Sequence, residues 1–427
     1  MTETNEPRLS VVEGGGVASA KGVHAGGIHA GFRKNPQRLD LALVECDKPV
    51  AAAGTFTTNK FCAAPVTVSR EHLGAEGAMV RAVCINSGTA NAATGDEGLD
   101  AAEKTCDIVA AELGCEPKQV LVASTGVIGQ LLDMAPFETG IPALHDKICA
   151  QATEESLRQA GGHDAAHAIM TTDTHPKERA VSYEATGALA GHTITVGGMC
   201  KCSGMIMPNM ATMICVITTD APVTPAALHE MLLAAVRQSF NKVTVDSDTS
   251  TNDTCIALAT GAAAPEAPAI EPGTPEAAEL ARAILDVCQH LAREIAADGE
   301  GSTRLVTVTV AGAPTEADAD TAARAIANSP LVKTAIYGHD CNWGRIAAAL
   351  GKCGVEFDQR DVDIDIMGMP VCRDGLTVPF DEDEALRRFD EPEITIWADL
   401  GAGTAETTVW TCDLTHDYVK INGEYRT

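Results

Sequence analysis

The chain has 427 residues, of which 45% are hydrophobic and 4% aromatic, and its formal net charge is −28. This length is enough for two or three domains with sizeable cores, and the hydrophobic content is that of a globular protein. The negative charge is spread along the chain and argues against nucleic acids and anionic membrane surfaces as partners. No stretch approaches 18 uninterrupted apolar residues, so we expect no membrane span.

The N-terminal residues 1–6 are polar and acidic, without the basic region and apolar run of a secretory signal. We therefore expect a cytoplasmic protein. The fifteen cysteines are scattered and odd in number, which favours reduced and often buried thiols. Cys200-x-Cys202 and Cys341, which follows a His-Asp pair, come nearest to a metal motif. A zinc site would normally show two spaced pairs of ligands, so we predict no metal ligands.

Short apolar runs of strand length predict three strands in the first part of the chain, at residues 38–44, 82–86 and 120–124. Residues 100–113 repeat small apolar side chains at helical spacing, and Gly114 stands where a helix C-terminal cap belongs. The third strand ends at Thr125-Gly126. A strand that ends in Thr-Gly exposes backbone donors at a turn, although an ordinary strand-to-loop glycine would look the same.

The stretch from Lys201 to Met213 is the most informative part of the sequence. A run of small residues leads to a Pro-Asn pair, and Ala211-Thr212 then opens an apolar strand at residues 213–217. A cut between Ala211 and Thr212 would give the threonine a free α-amine, whose pKa is roughly 8 in model peptides. That amine is a base beside the hydroxyl and makes it a nucleophile. The alternative is a β-branched residue that simply begins a buried strand.

Two later helices are predicted from the same start signal, a threonine that can cap the helix and a proline at its first position. Thr224-Pro225 precedes residues 226–240, and Thr274-Pro275 precedes residues 276–297. The Ala/Pro-rich residues between the two helices predict a surface loop at 262–273. Strands return in the last third at residues 305–310, 362–366, 394–398 and 407–412. The final two predict a hairpin around residues 400–403, within a mixed α+β protein rich in antiparallel sheet.

Together with residues 201–213, nine further motifs in the same order resemble the ornithine acetyltransferase family, also called bifunctional glutamate N-acetyltransferase. They cover essentially the whole chain and are Lys21–Ile28, Ala53–Asn59, Asn86–Ala92, Ser124–Gly129, Ile169–Thr174, Phe240–Asp253, Asp298–Gly301, Asn342–Arg345 and Asn422–Thr427. Three residues depart from the family pattern. Cys202 stands where glycine is usual, Cys341 where proline is usual and Thr89 where asparagine is typical.

For the fold, the resemblance implies an α/β (α+β) protein with a layered α-β-β-α core, largely antiparallel sheets and a smaller C-terminal α/β part. It also implies self-cleavage between Ala211 and Thr212. The products are an alpha chain of residues 1–211, which carries the oxyanion hole and Lys201, and a beta chain of residues 212–427, which begins with the nucleophile. The two chains stay associated as a heterotetramer or a larger assembly.

For the catalytic residues, the resemblance makes Thr212 both the nucleophile and, through its α-amine, the base. Thr125 contributes its hydroxyl and Gly126 its backbone N–H to the oxyanion hole, which stabilises the charge that develops on the attacked carbonyl. Lys201 binds a substrate carboxylate, and its charge also lowers the pKa of the new ammonium group.

For substrate binding, the resemblance assigns a further set of residues, which are Thr171, Lys201, Thr212, Glu300, Asn422 and Thr427. Glu300 is framed by glycines, and an ornithine ammonium is a plausible partner for its carboxylate. Thr172 is the alternative to Thr171. Asp246 and Asp248 are placed outside the site, because side chains in such a Thr/Ser/Asp-rich loop commonly form Asx turns.

The activity that the resemblance implies is acetyl transfer from N2-acetyl-L-ornithine to L-glutamate through an acetyl-Thr212 intermediate, in arginine biosynthesis. Its partners are these small molecules, with no cofactor and no nucleic acid or membrane partner. Acetyl-CoA is left open as a co-substrate, since the absence of a Walker-type loop does not exclude coenzyme A. Two alternatives remain, a hydrolase that passes the acyl group to water and a non-catalytic binding protein whose chain is never cut.

Overall fold

The computed structural model describes residues 8–75, 77–207 and 213–424, which contain fifteen strands and eleven α-helices. The strands are β1 (Ser10–Val11), β2 (Val23–Ile28), β3 (Leu41–Phe56), β4 (Ala78–Thr89), β5 (Val120–Val127), β6 (Lys177–Glu184), β7 (Thr193–Lys201), β8 (Ile214–Thr219), β9 (Thr254–Ala259), β10 (Leu305–Ala313), β11 (Asp363–Ile366), β12 (Met369–Arg373), β13 (Leu376–Thr377), β14 (Glu393–Asp399) and β15 (Ala405–Cys412).

The helices begin in the first half with α1 (Ala64–Leu73), α2 (Gly95–Leu113), α3 (Ala135–Gln151) and α4 (Glu155–Ile169). The second half adds α5 (Pro225–Arg237), α6 (Pro275–Ala297), α7 (Glu316–Ala327), α8 (Pro330–Tyr337), α9 (Trp343–Gly351), α10 (Glu382–Arg388) and α11 (His416–Glu424).

The long strand β3 divides the larger sheet into two layers. Its first part pairs with β2 and β4, its second part pairs with β9, and the register of its pairing with β4 shifts between Glu45 and Val50. Along the sheet the order is β1-β6-β7-β8-β9-β3-β4-β5, with β2 on β3. Because β3 belongs to both halves, the β2–β5 half can pack against the β6–β9 half.

The two halves share one apolar layer, as the alternation of side chains along their strands shows. In β4, Val83 and Ile85 lie in the shared inner cluster, whereas the neighbouring side chains pack outward near α2 and α3. In β8, Ile214 and Val216 join the inner cluster, whereas the intervening residues pack outward against α5 and α6. The layers are therefore helix, sheet, sheet and helix, which confirms the expected fold class.

The predicted helix signals also lie where expected. Thr224 accepts the backbone N–H of Ala227 and Thr274 that of Ala277, each with proline at the first helical position. Gly114 ends α2 in the left-handed conformation, with φ 63° and ψ 39°. Capping needs only neighbouring residues, so these boundaries are readable from the sequence.

The predicted hairpin around residues 400–403 is wrong. Strands β14 and β15 do not pair with each other, because β10 lies between them, parallel to β14 and antiparallel to β15. The connection after β14 instead crosses the end of β10. There Gly403 lies so close that a Cβ would be 2.3 Å from the carbonyl oxygen of Ala313. A turn signal in the sequence depends on neighbouring residues only. It carries no information about β10, which lies about ninety residues earlier in the chain.

The predicted loop at residues 262–273 is tied to the body of the protein at two points. Ala264 and Ile270 are buried, and Ile270 forms an isolated bridge with Val223.

The smaller six-stranded sheet has the order β13-β12-β11-β14-β10-β15 and packs against α7, α8 and α9. Within the described residues, no helix is both long and apolar enough to cross a membrane.

Strands from the two sides of the predicted cut lie side by side. β7 pairs with β8 antiparallel, with Lys201 opposite Ile214, and β3 pairs with β9. The segments before and after residues 211 and 212 are therefore joined by ladders of backbone hydrogen bonds, and a cut at that position would leave them inside one sheet.

Candidate active site

A cavity forms where several segments far apart in the sequence meet, at the ends of β5 and β7 and beside α11. Its lining includes all six predicted site residues that the structure describes, which are Thr125, Gly126, Thr171, Lys201, Glu300 and Asn422. Thr172, the alternative to Thr171, lines it as well. Ala211, Thr212 and Thr427 lie outside the described residues. The chemical roles given to these residues stay predictions.

Gly126 allows the close approach of two strands at the cavity wall. It lies opposite Gly88 in the parallel β4–β5 pair and has φ +132°, a conformation that other residues rarely adopt. A Cβ at this position would be 2.2 Å from the carbonyl carbon of Gly88. Any side chain would therefore push the strands apart just where the predicted oxyanion hole is built.

Lys201, the last residue of β7, extends its ammonium group to the end of β5. The side chain is almost fully buried, and Nζ lies 3.3 Å from Oγ1 of Thr125. An ammonium group only donates hydrogen bonds, so the threonine oxygen accepts here and its own O–H remains available to a ligand. Asn252 fixes the neighbouring loop by donating to the carbonyl oxygens of Ser124 and Ala90, at 2.8 and 2.6 Å.

A buried ion cluster lies directly beneath the cavity. Lys177 is fully buried and contacts Asp173 at 2.8 Å and Asp298 at 2.6 Å. Asp173 also accepts the backbone N–H of Thr171 and of Cys202, at 2.9 and 2.8 Å. This lysine therefore connects three segments that carry cavity residues: the loop after α4, the end of β7 and the turn after α6.

Neighbouring charges, rather than burial, decide the direction in which the pKa values of Asp173 and Lys177 shift. Burial by itself would raise the pKa of Asp173, but the ammonium groups of Lys177 and Lys201 and hydrogen bonds from Lys177 and Thr171 hold it below its usual range. Burial would likewise lower the pKa of Lys177, but Asp173 and Asp298 raise it above its usual range. Asp173 and Lys177 are therefore both charged in the folded protein, and each stabilises the charged form of the other.

Glu300 faces the cavity from the turn between α6 and β10. Its backbone N–H donates to Ser203 at 2.8 Å, and its carboxylate accepts the side-chain amide of Asn422 at 2.7 Å. Gly204 makes room for this carboxylate, since a Cβ there would be 2.4 Å from its carbon atom. The cavity therefore carries a cation, Lys201, and an anion, Glu300, and suits a substrate that bears both charges.

Sequence reasoning missed part of this site. The sequence predicts that Asp246 lies outside the site, yet Asp246 lines the cavity and accepts the backbone N–H groups of Met205 and Ile206 at 2.7 and 2.8 Å. Tyr418, which received no role, donates to the same carboxylate at 3.4 Å. Asp248 also lines the cavity. Asp246 and Asp248 belong to the Phe240–Asp253 motif, so their place in that motif was the signal available.

Cys202, which departs from the family pattern, takes part in the turn that follows Lys201. Its thiol lies 3.3 Å from the carbonyl oxygen of Gly204, and burial raises its pKa to about 11. Burial also raises the pKa of Cys200 well above its ordinary value. Both groups are therefore neutral thiols at pH 7, and a neutral thiol is a weak nucleophile.

The sequence comparisons cover nearly the whole chain. A model of the ArgJ family matches residues 24–427. The chain is similar to the arginine biosynthesis bifunctional protein ArgJ of Thermosynechococcus vestitus, with 46% identity over 97% of this chain and 98% of that protein. The corresponding protein of Symbiobacterium thermophilum is 48% identical over 97% of this chain and 99% of its own length.

Two solved structures resemble part of the chain. A crystal structure of the arginine biosynthesis bifunctional protein ArgJ from Bacillus halodurans is 40% identical, with a TM-score of 0.47, and covers 49% of this chain and 98% of that one. A structure of ornithine acetyltransferase from Mycobacterium tuberculosis, complexed with ornithine, is 38% identical with a TM-score of 0.42. It covers 48% of this chain and 100% of that one.

Proposed function

The chain belongs to the ArgJ family, and from this we infer that it is a glutamate N-acetyltransferase of arginine biosynthesis. It transfers acetyl from N2-acetyl-L-ornithine to L-glutamate. The observation that carries this inference beyond family membership is the cavity that places Thr125, Lys201 and Glu300 together. Lys201 suits the carboxylate of N2-acetyl-L-ornithine and Glu300 its side-chain ammonium group, so the cavity fits the charge pattern of that substrate.

The reaction proceeds in two displacements through a covalent acetyl group on Thr212. The chain cuts itself between Ala211 and Thr212, and the new α-amine takes the hydroxyl proton as the oxygen attacks the acetyl carbonyl. The Thr125 hydroxyl and the Gly126 N–H stabilise the oxyanion. The amine then returns the proton to the departing nitrogen of ornithine. Glutamate reverses these steps from the acetyl-enzyme.

The assembly and location are further parts of this proposal. The fragments 1–211 and 212–427 remain together because β7 and β8 lie on the two sides of the cut in one sheet. We propose a heterotetramer or larger assembly in the cytoplasm, with acetyl-CoA as the additional acetyl donor to test. Gel filtration and an assay with glutamate and acetyl-CoA address these points.

Intact mass spectrometry under denaturing conditions tests the function first. We expect the purified protein to give two fragments that break between Ala211 and Thr212, and the Thr212→Ala variant to give one full-length chain. After incubation with N2-acetyl-L-ornithine, the C-terminal fragment should carry an added acetyl group, and L-glutamate should remove it. Release of free acetate without glutamate would identify a hydrolase, and a single uncut wild-type chain would contradict the mechanism.

The Glu300→Gln variant tests substrate binding. The change keeps an oxygen for Asn422 but removes the negative charge that would face the side-chain ammonium group of N2-acetyl-L-ornithine. A hydrogen bond to a charged group contributes about 1.5–3 kcal/mol, so KM for N2-acetyl-L-ornithine should rise roughly 10- to 100-fold, with little change in kcat. Steady-state kinetics measure this, with Glu294→Gln as the control, since the Glu294 carboxylate on α6 contacts His175 at 3.2 Å and does not line the cavity. An unchanged KM would remove Glu300 from the binding site.

A further inference from the structure

A glutamate, a histidine and a cysteine meet where α3 packs against β3, outside the acetyl-transfer cavity. Glu45 belongs to β3, and His145 and Cys149 belong to α3. Taking one ligand atom from each residue, all three atoms lie within 4.8 Å of one another. Carboxylate oxygen, imidazole nitrogen and thiolate sulfur are the side-chain ligands that zinc uses in proteins.

The helix and the strand each fix part of this arrangement. His145 and Cys149 are four residues apart on α3, so their side chains lie on one face of the helix, one turn apart. The Cys149 sulfur is 3.6 Å from Nε2 and 4.0 Å from Nδ1 of His145. On its other side, the His145 Nδ1 is 3.0 Å from Oε2 of Glu45. The imidazole therefore lies between the carboxylate and the thiol.

These distances are close to those of a tetrahedral metal site. With the usual zinc bond lengths, a nitrogen and an oxygen ligand lie about 3.4 Å apart, and a nitrogen and a sulfur ligand about 3.6 Å apart. The Nδ1 of His145 is 3.0 Å from the Glu45 oxygen and 4.0 Å from the Cys149 sulfur. Each distance is within about half an ångström of the tetrahedral value, so side-chain rotation is enough to form the site.

Glu45 is a buried carboxylate with few partners. Its side chain is 5% exposed, and Oε2 contacts His145. Among the residues that the structure describes, no hydrogen bond is made to Oε1. An ionised carboxylate offers about four acceptor positions, and burial of such a group is costly unless it is paired. A cation beside this carboxylate would supply the missing compensation.

The charges around Cys149 also favour a cation. Burial and the carboxylates of Glu45, Asp146 and Glu112 raise the pKa of its thiol, and the Arg81 charge opposes them. Three negative groups against one positive group leave the position negative. A thiol that binds a metal ion loses its proton to solvent, and the bound ion then balances the negative charge of the thiolate.

We propose that Glu45, His145 and Cys149 form a binding site for a divalent transition-metal ion, for which Zn²⁺ is the best match. Sulfur and imidazole ligands disfavour Mg²⁺ and Ca²⁺, which bind oxygen. The three side chains leave the fourth position of a tetrahedral ion to water, and the exposure of Cys149 gives the ion a path from solvent. The proposal is independent of acetyl transfer.

A bound ion would connect α3 to β3 at an irregular point of the sheet. Glu45 is the last residue before the register of the β3–β4 pairing shifts. The ion should therefore stabilise the β2–β5 half of the protein. The sequence predicted no metal ligands because that prediction rested on spacing along the chain. Glu45 is 100 residues from His145, so no ligand motif was visible.

Titration of the purified, chelator-treated protein with Co²⁺ tests the site, since Co²⁺ replaces Zn²⁺ and absorbs light. We expect one Co²⁺ ion per chain, with a near-ultraviolet thiolate-to-cobalt band and the intense visible bands of tetrahedral Co²⁺. Added Zn²⁺ should remove these bands. Cys149→Ser should abolish the thiolate band. His145→Ala should weaken Co²⁺ binding at least about 10-fold, since even changes outside the ligand set cost this much.

Cys62→Ser is the matched control. Cys62 is also a partly accessible thiol, but its contacts are the Ala63 carbonyl oxygen and the Thr67 hydroxyl, which form no metal site. This variant should keep the wild-type bands. The proposal is overturned if wild type shows no thiolate band, if Cys149→Ser keeps the band, or if Cys62→Ser loses it. Because Cys149 is exposed, serine there should leave the fold intact.

Thermal unfolding gives a second readout that needs no coloured ion. A free Zn²⁺ concentration about 100-fold above Kd should raise the Tm of a chain of this size by about 3 °C. The rise is expected in wild type and in Cys62→Ser and should be absent in Cys149→Ser. An equal rise in all three proteins would place the bound zinc elsewhere and overturn the proposal.

Discussion

Replacing Gly126 by alanine is expected to lower the kcat of acetyl transfer by roughly 100-fold or more. The new Cβ would lie 2.2 Å from the carbonyl carbon of Gly88 and 2.6 Å from the backbone nitrogen of Thr89. These are backbone atoms of a paired strand, so they move only if β4 and β5 separate at their ends. Such movement displaces the Gly126 N–H, and the loss of one oxyanion-hole donor costs about 10²–10³ in kcat.

Gly129→Ala is the control for this prediction. Gly129 also has positive φ, at +78°, but nothing lies within 4 Å of its Cβ position. Alanine there adds backbone strain of about 1 kcal/mol without moving a strand. Steady-state kinetics on the cut protein separate the two effects. Equal activities for Gly126→Ala and Gly129→Ala would show that the β4–β5 contact does not position a catalytic donor.

Replacing Lys177 by methionine is expected to lower the free energy of unfolding by about 3–5 kcal/mol, the usual cost of breaking a buried ion pair from one side. Methionine fills similar space but leaves Asp173 and Asp298 buried without their cation. The carboxyls would repel each other and release the segments that carry Thr171 and Cys202. Chemical denaturation measures the loss, and substrate binding should weaken with it.

Lys147→Met is the control, because the Lys147–Asp164 pair has a similar distance of 2.8 Å but is about one-third exposed on both sides. Pairs that are exposed to this degree contribute about 0–1 kcal/mol.

The pH dependence of stability gives a second check. The pKa of Asp173 is lowered by folding, so its contribution is complete above about pH 3.9, the ordinary pKa of aspartate, and is lost as the pH falls further. The difference in the free energy of unfolding between wild type and Lys177→Met should therefore become smaller below that pH.

If the difference in the free energy of unfolding between wild type and Lys177→Met stays constant from pH 6 to pH 3, this account is contradicted. Such a result would mean that the lysine stabilises the fold without its charge partners. A loss no larger than that of Lys147→Met would contradict it as well. Thermal and chemical unfolding across this pH range provide the measurement.

Local features of the fold were readable from the sequence. The threonine caps of α5 and α6 and the glycine cap of α2 depend on residues within one turn of the helix end. The continuous apolar run at residues 213–217 predicted the strand β8 for the same reason. The hairpin prediction failed because the insertion of β10 between β14 and β15 depends on a pairing partner far away in the chain.

The sequence by itself determined the family and the reaction class, because ordered motifs are local properties of the chain. Only the tertiary structure decided which side chains meet. Lys177 and Asp246 are placed by burial and by contacts with other segments. Burial and charge proximity arise when the chain folds, and no spacing in the sequence encodes them directly.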